Sequence, residues 1–317
     1  MPRYRLAPQS PFPGPLVGAL ISYLYLLYPP PGALHGPIAA EKLVLVGDSA
    51  GGGLSLALHL SRSGGKVRWH GRDVAVPLPG GVALISPWVD VPRSFSETSG
   101  FAAGSEDSCG VYDYIPSTRH SAATAYAESP AWNADIRKQR AATQPYAPDR
   151  LLTHPLVSPL LAESWVGGQG QKVPVWLCVG DERLRDQGLY MGHRLYTAGI
   201  KLRAEVYTAM PHVFQAVVGH LKAADASWAS MAKFVRHATG AQAAGADYWR
   251  VERIHPKTLE AKQMSESELQ VGGLEFGKVR EMMETIVQRY GERAEEGTGK
   301  GRDVAEAAEA AVTVATM

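Results

Sequence analysis

The sequence predicts an α/β fold, a mostly parallel sheet with helices on both faces. Three observations carry that prediction. Short apolar, β-branched runs alternate with helical stretches along the chain. A glycine-flanked serine sits at the junction of one such run with the helix that follows it. Later junctions carry acidic residues and then a histidine, where a parallel sheet gathers its loops.

The elements follow in order. The most apolar stretch, residues 16–28, is too short to span a bilayer and is expected as a core helix. Strands are expected at 43–46, 82–85, 173–179 and 204–207, each bounded by turn residues on at least one side. Helical periodicity follows at 50–62, 187–198 and 221–237. Residues 88–171 break the alternation, being rich in Ser, Pro, Gly and Ala. A stretch so long without strands is expected to be a functional insertion. The isolated tryptophans Trp132, Trp165 and Trp228 are expected to be packing residues. Beyond the main domain, 1–240, a helical extension is expected over 241–290. There Ser265 and Glu268 form a capping-box pattern, and Val279, Met282, Met283, Ile286, Val287 and Tyr290 recur at helical spacing. That helix should pack on the domain or on a partner. Residues 291–317, rich in Glu, Gly, Ala and Lys, are expected to be a disordered tail.

Composition excludes several functions. A net charge of +1, with basic and acidic residues interspersed, leaves no electrostatic footprint for nucleic acid or an anionic membrane. The two cysteines, Cys109 and Cys178, fit neither a disulfide framework nor a metal-ligand spacing. Cys178, inside the apolar run Val175-Trp176-Leu177-Cys178-Val179, reads as a buried small hydrophobe. Neither a signal-peptide core nor an integral membrane span is visible, so a cytoplasmic chain is expected.

Chemistry concentrates at Gly47-Asp48-Ser49-Ala50-Gly51, an instance of G-x-S-x-G directly after one strand and before a helix. That context is what a nucleophile elbow requires, with small residues on either side of the serine letting the turn close. The following helix offers the Ala50 backbone N–H to a developing oxyanion. A serine nucleophile needs an acid and a histidine later in the chain. Asp181, Glu182 and Asp186 follow the run 173–179, and His212 follows 204–207. On chemistry alone the three carboxylates stand equal.

The segments Tyr4-Arg5-Leu6-Ala7-Pro8, Pro11-Phe12-Pro13, Gly47-Asp48-Ser49-Ala50-Gly51-Gly52, Ser86-Pro87-Trp88-Val89-Asp90, His154-Pro155-Leu156-Val157-Ser158-Pro159, Leu184-Arg185-Asp186 and Met210-Pro211-His212-Val213-Phe214 stand in one order. Together they resemble the hormone-sensitive-lipase-like esterases, the fold-3 group of the α/β-hydrolases. The resemblance runs from about residue 3 to 237. It implies an α/β-hydrolase fold in which Ser49 is the nucleophile and His212 the base. Glu182 stands at the position of the family's acid, with Asp181 in reserve. Asp48 would bond local backbone in the elbow, and the 88–171 insertion would lie over the site. The implied substrate is a small, apolar, uncharged ester of short to medium acyl length, cleaved through an acyl-enzyme with no cofactor and no metal. A homodimer is compatible with the resemblance.

The sequence departs from the family in lacking its His-Gly-Gly-Gly oxyanion segment and its first strands upstream of Tyr4. His35-Gly36 stands in the wrong place to replace that segment. The strand at 43–46 would then present an unpaired edge. The preferred reading is an incomplete version of a longer hydrolase. The alternative is a catalytically impaired hydrolase-fold protein with a binding or scaffold role.

Overall fold

The computed structural model describes residues 2–7, 9–61, 66–97, 113–114, 145–165 and 170–297. The first apolar stretch forms helix α1, Gly14–Leu27, which buries Leu16, Tyr23, Leu24 and Leu27. Strand β1, Val44–Asp48, leads directly into helix α2, Ala50–Leu60. A hairpin that the sequence reading passed over follows, with β2 at Lys66–Trp69 and β3 at Arg72–Ala75. Its turn residues His70 and Gly71 both have positive φ, 45° and 78°, as a two-residue hairpin turn demands.

The main sheet adds β4 (Gly81–Ile85), β5 (Val175–Gly180), β6 (Leu202–Tyr207), β7 (Val251–Ile254) and β8 (Ala261–Gln263). Its order is β1-β4-β5-β6-β7-β8, parallel except for the antiparallel β7–β8 pair. Every residue of β4 and β5 is buried, as continuous apolar runs in a sheet covered on both faces should be. The pleat sorts them. Val82, Leu84, Val175, Leu177 and Val179 enter the core cluster that holds Leu56 of α2 and Leu189 and Met191 of helix α4, Arg185–Thr197. Ala83, Ile85, Trp176 and Cys178 point the other way, into a cluster with Phe234 of helix α6, Lys222–Ala238. A short helix, α3 (Ser94–Glu97), lies between β4 and β5, and another, α5 (Phe214–Val217), precedes α6. Each fully buried aliphatic side chain contributes roughly 1.5–3 kcal/mol, so the two-sided core fixes strand register strongly.

Among the described residues β1 pairs only with β4, and Val46 is 50 % exposed. No helix among the described residues is long and apolar enough to cross a membrane.

Two expectations need correction. The 241–290 extension is not purely helical, because β7 and β8 lie in it and enlarge the main sheet. The run Val251-Glu252-Arg253-Ile254 shows no apolar alternation. It pairs because Glu252 falls opposite Glu205 and Arg203 bridges both carboxylates. After the capped helix α7 (Glu266–Leu269), helix α8 spans Phe276–Gly297 and so takes in residues 291–297, assigned above to the tail. Glu and Ala are good helix formers, and a helix already docked by Val279, Met283 and Ile286 propagates into them. Residues 298–317 lie outside the described residues.

In the 88–171 stretch Val89, Val91, Phe95, Leu152, Leu160, Leu161 and Trp165 are buried in the core, whereas Asp113 and Tyr114 lie against the loop that carries His212. Trp165 packs as expected, whereas Trp228 is 41 % exposed. Trp132 and most of the insertion lie outside the described residues.

Candidate active site

The C-terminal ends of β1, β4, β5 and β6 lie side by side, and the backbone there is unusual. Ser49, Ser86, Ala209 and Val213 all have positive φ, at 51°, 46°, 56° and 48°. Such conformations cost on the order of 1–3 kcal/mol each for residues with a side chain, and a β-branched valine is the least suited to them. They persist only where surrounding structure dictates them, and here they cluster on one edge.

Ser49 (φ 51°, ψ −119°) connects β1 to α2. Its N–H donates to the Ile85 carbonyl at 2.9 Å, and its own carbonyl accepts from Gly52, Gly53 and Trp88. The turn is tight enough that a Cβ on Gly47 would overlap the Gly51 carbonyl. Gly51 is under no such demand, since a Cβ there would meet only the Tyr4 hydroxyl, at 3.9 Å. Of the two flanking glycines, only the first is sterically required. Ala50 is the first residue of α2, so its N–H has no carbonyl one turn back within the helix. Asp48 is exposed at the end of β1, and its carboxylate makes no hydrogen bond to backbone among the described residues.

The acidic residues after β5 separate cleanly. Glu182 is 1 % exposed; one carboxylate oxygen accepts the Gly180 N–H at 3.1 Å, and the other is hydrogen-bonded to His212 Nδ1. Asp181 accepts from Arg185 Nη1 at 3.0 Å and from the Ala209 N–H at 2.7 Å. Asp186 takes the Nε of the same arginine at 3.1 Å. Both aspartates are therefore committed to Arg185, and Glu182 alone meets the imidazole.

His212 is 4 % exposed and sits in the loop after β6. The loops after β5 and β6 pack backbone on backbone, since a Cβ on Gly180 would overlap the Met210 carbonyl. Ser86, at the end of β4 between the serine strand and the acid strand, ties the histidine loop to the sheet. Its Oγ accepts the Val213 N–H at 3.1 Å, while its own N–H donates to the Cys178 carbonyl at 2.7 Å. Cys178 itself is fully buried, and that burial pushes its thiol well above the usual range, so it is inert.

Four residues here escaped the sequence reading. Ser86 was quoted within a motif but given no role. Gln187 accepts both the Val89 and the Asp90 N–H on its Oε1, at 2.7 and 2.9 Å. Asp113 accepts the Arg183 N–H at 2.8 Å and the His212 N–H at 3.4 Å. Tyr114 stands edge-on to the imidazole, ring centroids 6.2 Å apart. No sequence signal marks the last two, because they contact the site across about 70 and 100 residues of chain.

A cavity of about 680 Å3 opens elsewhere, between α6, β6 and β7, and none of Ser49, Glu182 and His212 lines it. Its walls include Arg203, Glu205, Ser230, Lys233, Tyr248 and Glu252. Glu205 and Glu252 there are both ion-paired to Arg203. No group of His, Cys, Asp and Glu among the described residues is arranged to hold a metal ion.

A parallel sheet with helices on both faces, a serine elbow after one strand, and an acid–histidine pair after two later strands define an α/β-hydrolase. The chain belongs to the alpha/beta hydrolase fold family, which matches residues 1–216. An esterase of the bacterial hormone-sensitive lipase family is similar in structure, with 27% identity and a TM-score of 0.51 over 75% of this chain and 64% of that one. The crystal structure of EstE5 soaked with p-nitrophenyl butyrate is similar at 26% identity and a TM-score of 0.53, again over 75% and 64%. An acetyl-hydrolase of Streptomyces hygroscopicus is 37% identical over 90 residues, 28% of this chain and 24% of that protein. The chain thus spans less than two thirds of the length of each of these relatives.

Proposed function

We propose that this chain acts as a serine hydrolase on carboxylic esters of short to medium acyl length. The observation that carries the reading is the Glu182–His212 hydrogen bond, formed while the neighbouring Asp181 is held by Arg185 and Ala209. Ser49 Oγ attacks the ester carbonyl as His212 Nε2 takes its proton, and a tetrahedral oxyanion forms. The Ala50 N–H, at the positive end of α2, donates to that oxyanion. His212 then returns the proton to the departing alcohol, leaving an acyl group on Ser49. A water, deprotonated by the same imidazole, releases the acid and restores the serine. Glu182 holds the ring by its Nδ1–H, fixes the tautomer with Nε2 free to accept, and stabilises the imidazolium in both halves of the cycle.

The acyl range is supported by the neighbour soaked with p-nitrophenyl butyrate and by the acetyl-hydrolase relative. The test is p-nitrophenyl butyrate hydrolysis by the chain beside its Ser49→Ala variant, with circular dichroism reporting folding. Turnover that disappears with the serine supports the reading. A folded chain without turnover overturns it and favours a binding or scaffold role.

A further inference from the structure

We propose that Asp113 is a positioning residue for the acid–base pair, holding the loops of Glu182 and His212 in register with a single carboxylate. The proposal rests on the hydrolase reading above. One Asp113 oxygen accepts the backbone N–H of Arg183, the residue after the acid, at 2.8 Å. The other accepts the backbone N–H of His212 itself, at 3.4 Å. The two loops leave different strands, β5 and β6, and are 30 residues apart in sequence at the acid–histidine contact. A carboxylate has two oxygens about 2.2 Å apart on one rigid plane, so bonding one loop through each oxygen sets their spacing. That spacing decides whether Glu182 meets Nδ1 squarely.

The adjoining residue shows that the clamp lies against the imidazole. Tyr114 presents its ring to His212 at 6.2 Å and an interplanar angle of 63°. Its hydroxyl is raised above the ordinary tyrosine range by partial burial, then by the charges of Asp113, Glu182 and Asp48. Misplacing a catalytic group by about 1 Å can cost on the order of 10²-fold in rate, so a clamp of this kind acts on turnover, not substrate affinity.

The experiment compares wild type with Asp113→Asn and Asp113→Ala, using Ser49→Ala as the blank. Asparagine keeps one acceptor and turns an amide NH2 toward the second N–H; alanine removes both acceptors. The expected result is a kcat for p-nitrophenyl butyrate lowered about 10-fold in the asparagine variant and about 10²-fold in the alanine variant, with KM within threefold of wild type. A readout independent of turnover is the proton NMR resonance of the His212 Nδ1–H bonded to Glu182. It is assigned by its loss in Glu182→Gln, and should shift or broaden in Asp113→Ala with far-ultraviolet dichroism unchanged. Unchanged kcat and an unchanged resonance would overturn the proposal, as would loss of stability or a rise in KM alone, which an anchoring role predicts. If Ser49→Ala and wild type are equally inactive, the hydrolase reading fails and the resonance still decides the clamp. Absence of that resonance from wild type overturns it too, since no pair would then exist to be positioned.

Discussion

Two buried carboxylate clusters stand on the same sheet and are built on opposite plans. At the end of β5, Glu182 bonds one backbone N–H and one imidazole. In the middle of β6, Glu205 is met by Arg203, by the Ser230 hydroxyl and by the Tyr207 hydroxyl. Arg203 also reaches Glu252 on β7, which in turn holds Arg250. Burial raises Glu205 above the usual carboxylate range, although Arg203 and Ser230 oppose it. Permanent cations and several donors leave Glu205 nothing to exchange. Glu182 faces no guanidinium, only a backbone N–H and an imidazole. The number of buried acids thus says little about a site; the kind of partner says more.

Substitutions can break this contrast. The largest effect is expected at the first cluster. Glu182→Gln should lower kcat for p-nitrophenyl butyrate about 10⁴-fold, and Ser49→Ala should lower it at least as far, with melting temperatures within a few degrees of wild type. At the second cluster Arg203→Met removes the cation that two buried carboxylates share. It should cost about 3–5 kcal/mol in urea unfolding while kcat of the folded fraction stays put. If Arg203→Met impaired turnover without loss of stability, the division between the two clusters would be wrong.

A third buried acid sharpens the comparison through pH. Asp90 is fully buried, and that burial lifts its carboxyl from the ordinary range to about 6, against hydrogen bonds from Phe95 and Ser94. With the folded value above the unfolded one, the native state binds the proton more tightly than the unfolded chain does. The stability this confers is complete below pH ~4 and is lost as pH rises to ~6, an effect of roughly 2–3 kcal/mol. Asp90→Asn keeps an acceptor for the Phe95 N–H and cannot ionise. The difference in unfolding free energy between wild type and variant should therefore move in the variant's favour from pH 4 to pH 7. A constant difference would show that Asp90 stays charged throughout.

The smallest effect is expected next door to the acid. Asp181→Asn should cost about 1–3 kcal/mol by weakening its bonds to Arg185 and Ala209, with kcat within a few-fold of wild type. A collapse of kcat to the level of Glu182→Gln would exchange the roles assigned to these two neighbours.

The sequence by itself determined four of the six strands of the main sheet and the chain order of the candidate site residues. The apolar runs of β4 and β5 and the shorter Ala204-Glu205-Val206-Tyr207 of β6 lie between turn residues, so these three strands were legible within a few residues. The elbow was legible because a glycine before a serine between strand and helix has a local steric cause, the Gly51 carbonyl lying where a Cβ on Gly47 would go. Tertiary structure alone decided the rest. Asp181 and Glu182 are consecutive, and only the direction each side chain leaves the turn commits one to Arg185 and the other to His212. β7 carries no strand signal because its pairing rests on Arg203, a residue on the opposite strand. The Asp113 clamp reaches across about 70 and 100 residues. Local patterns record what neighbours along the chain require of one another; contacts closed over long loops depend on where the folded backbone brings each donor and acceptor.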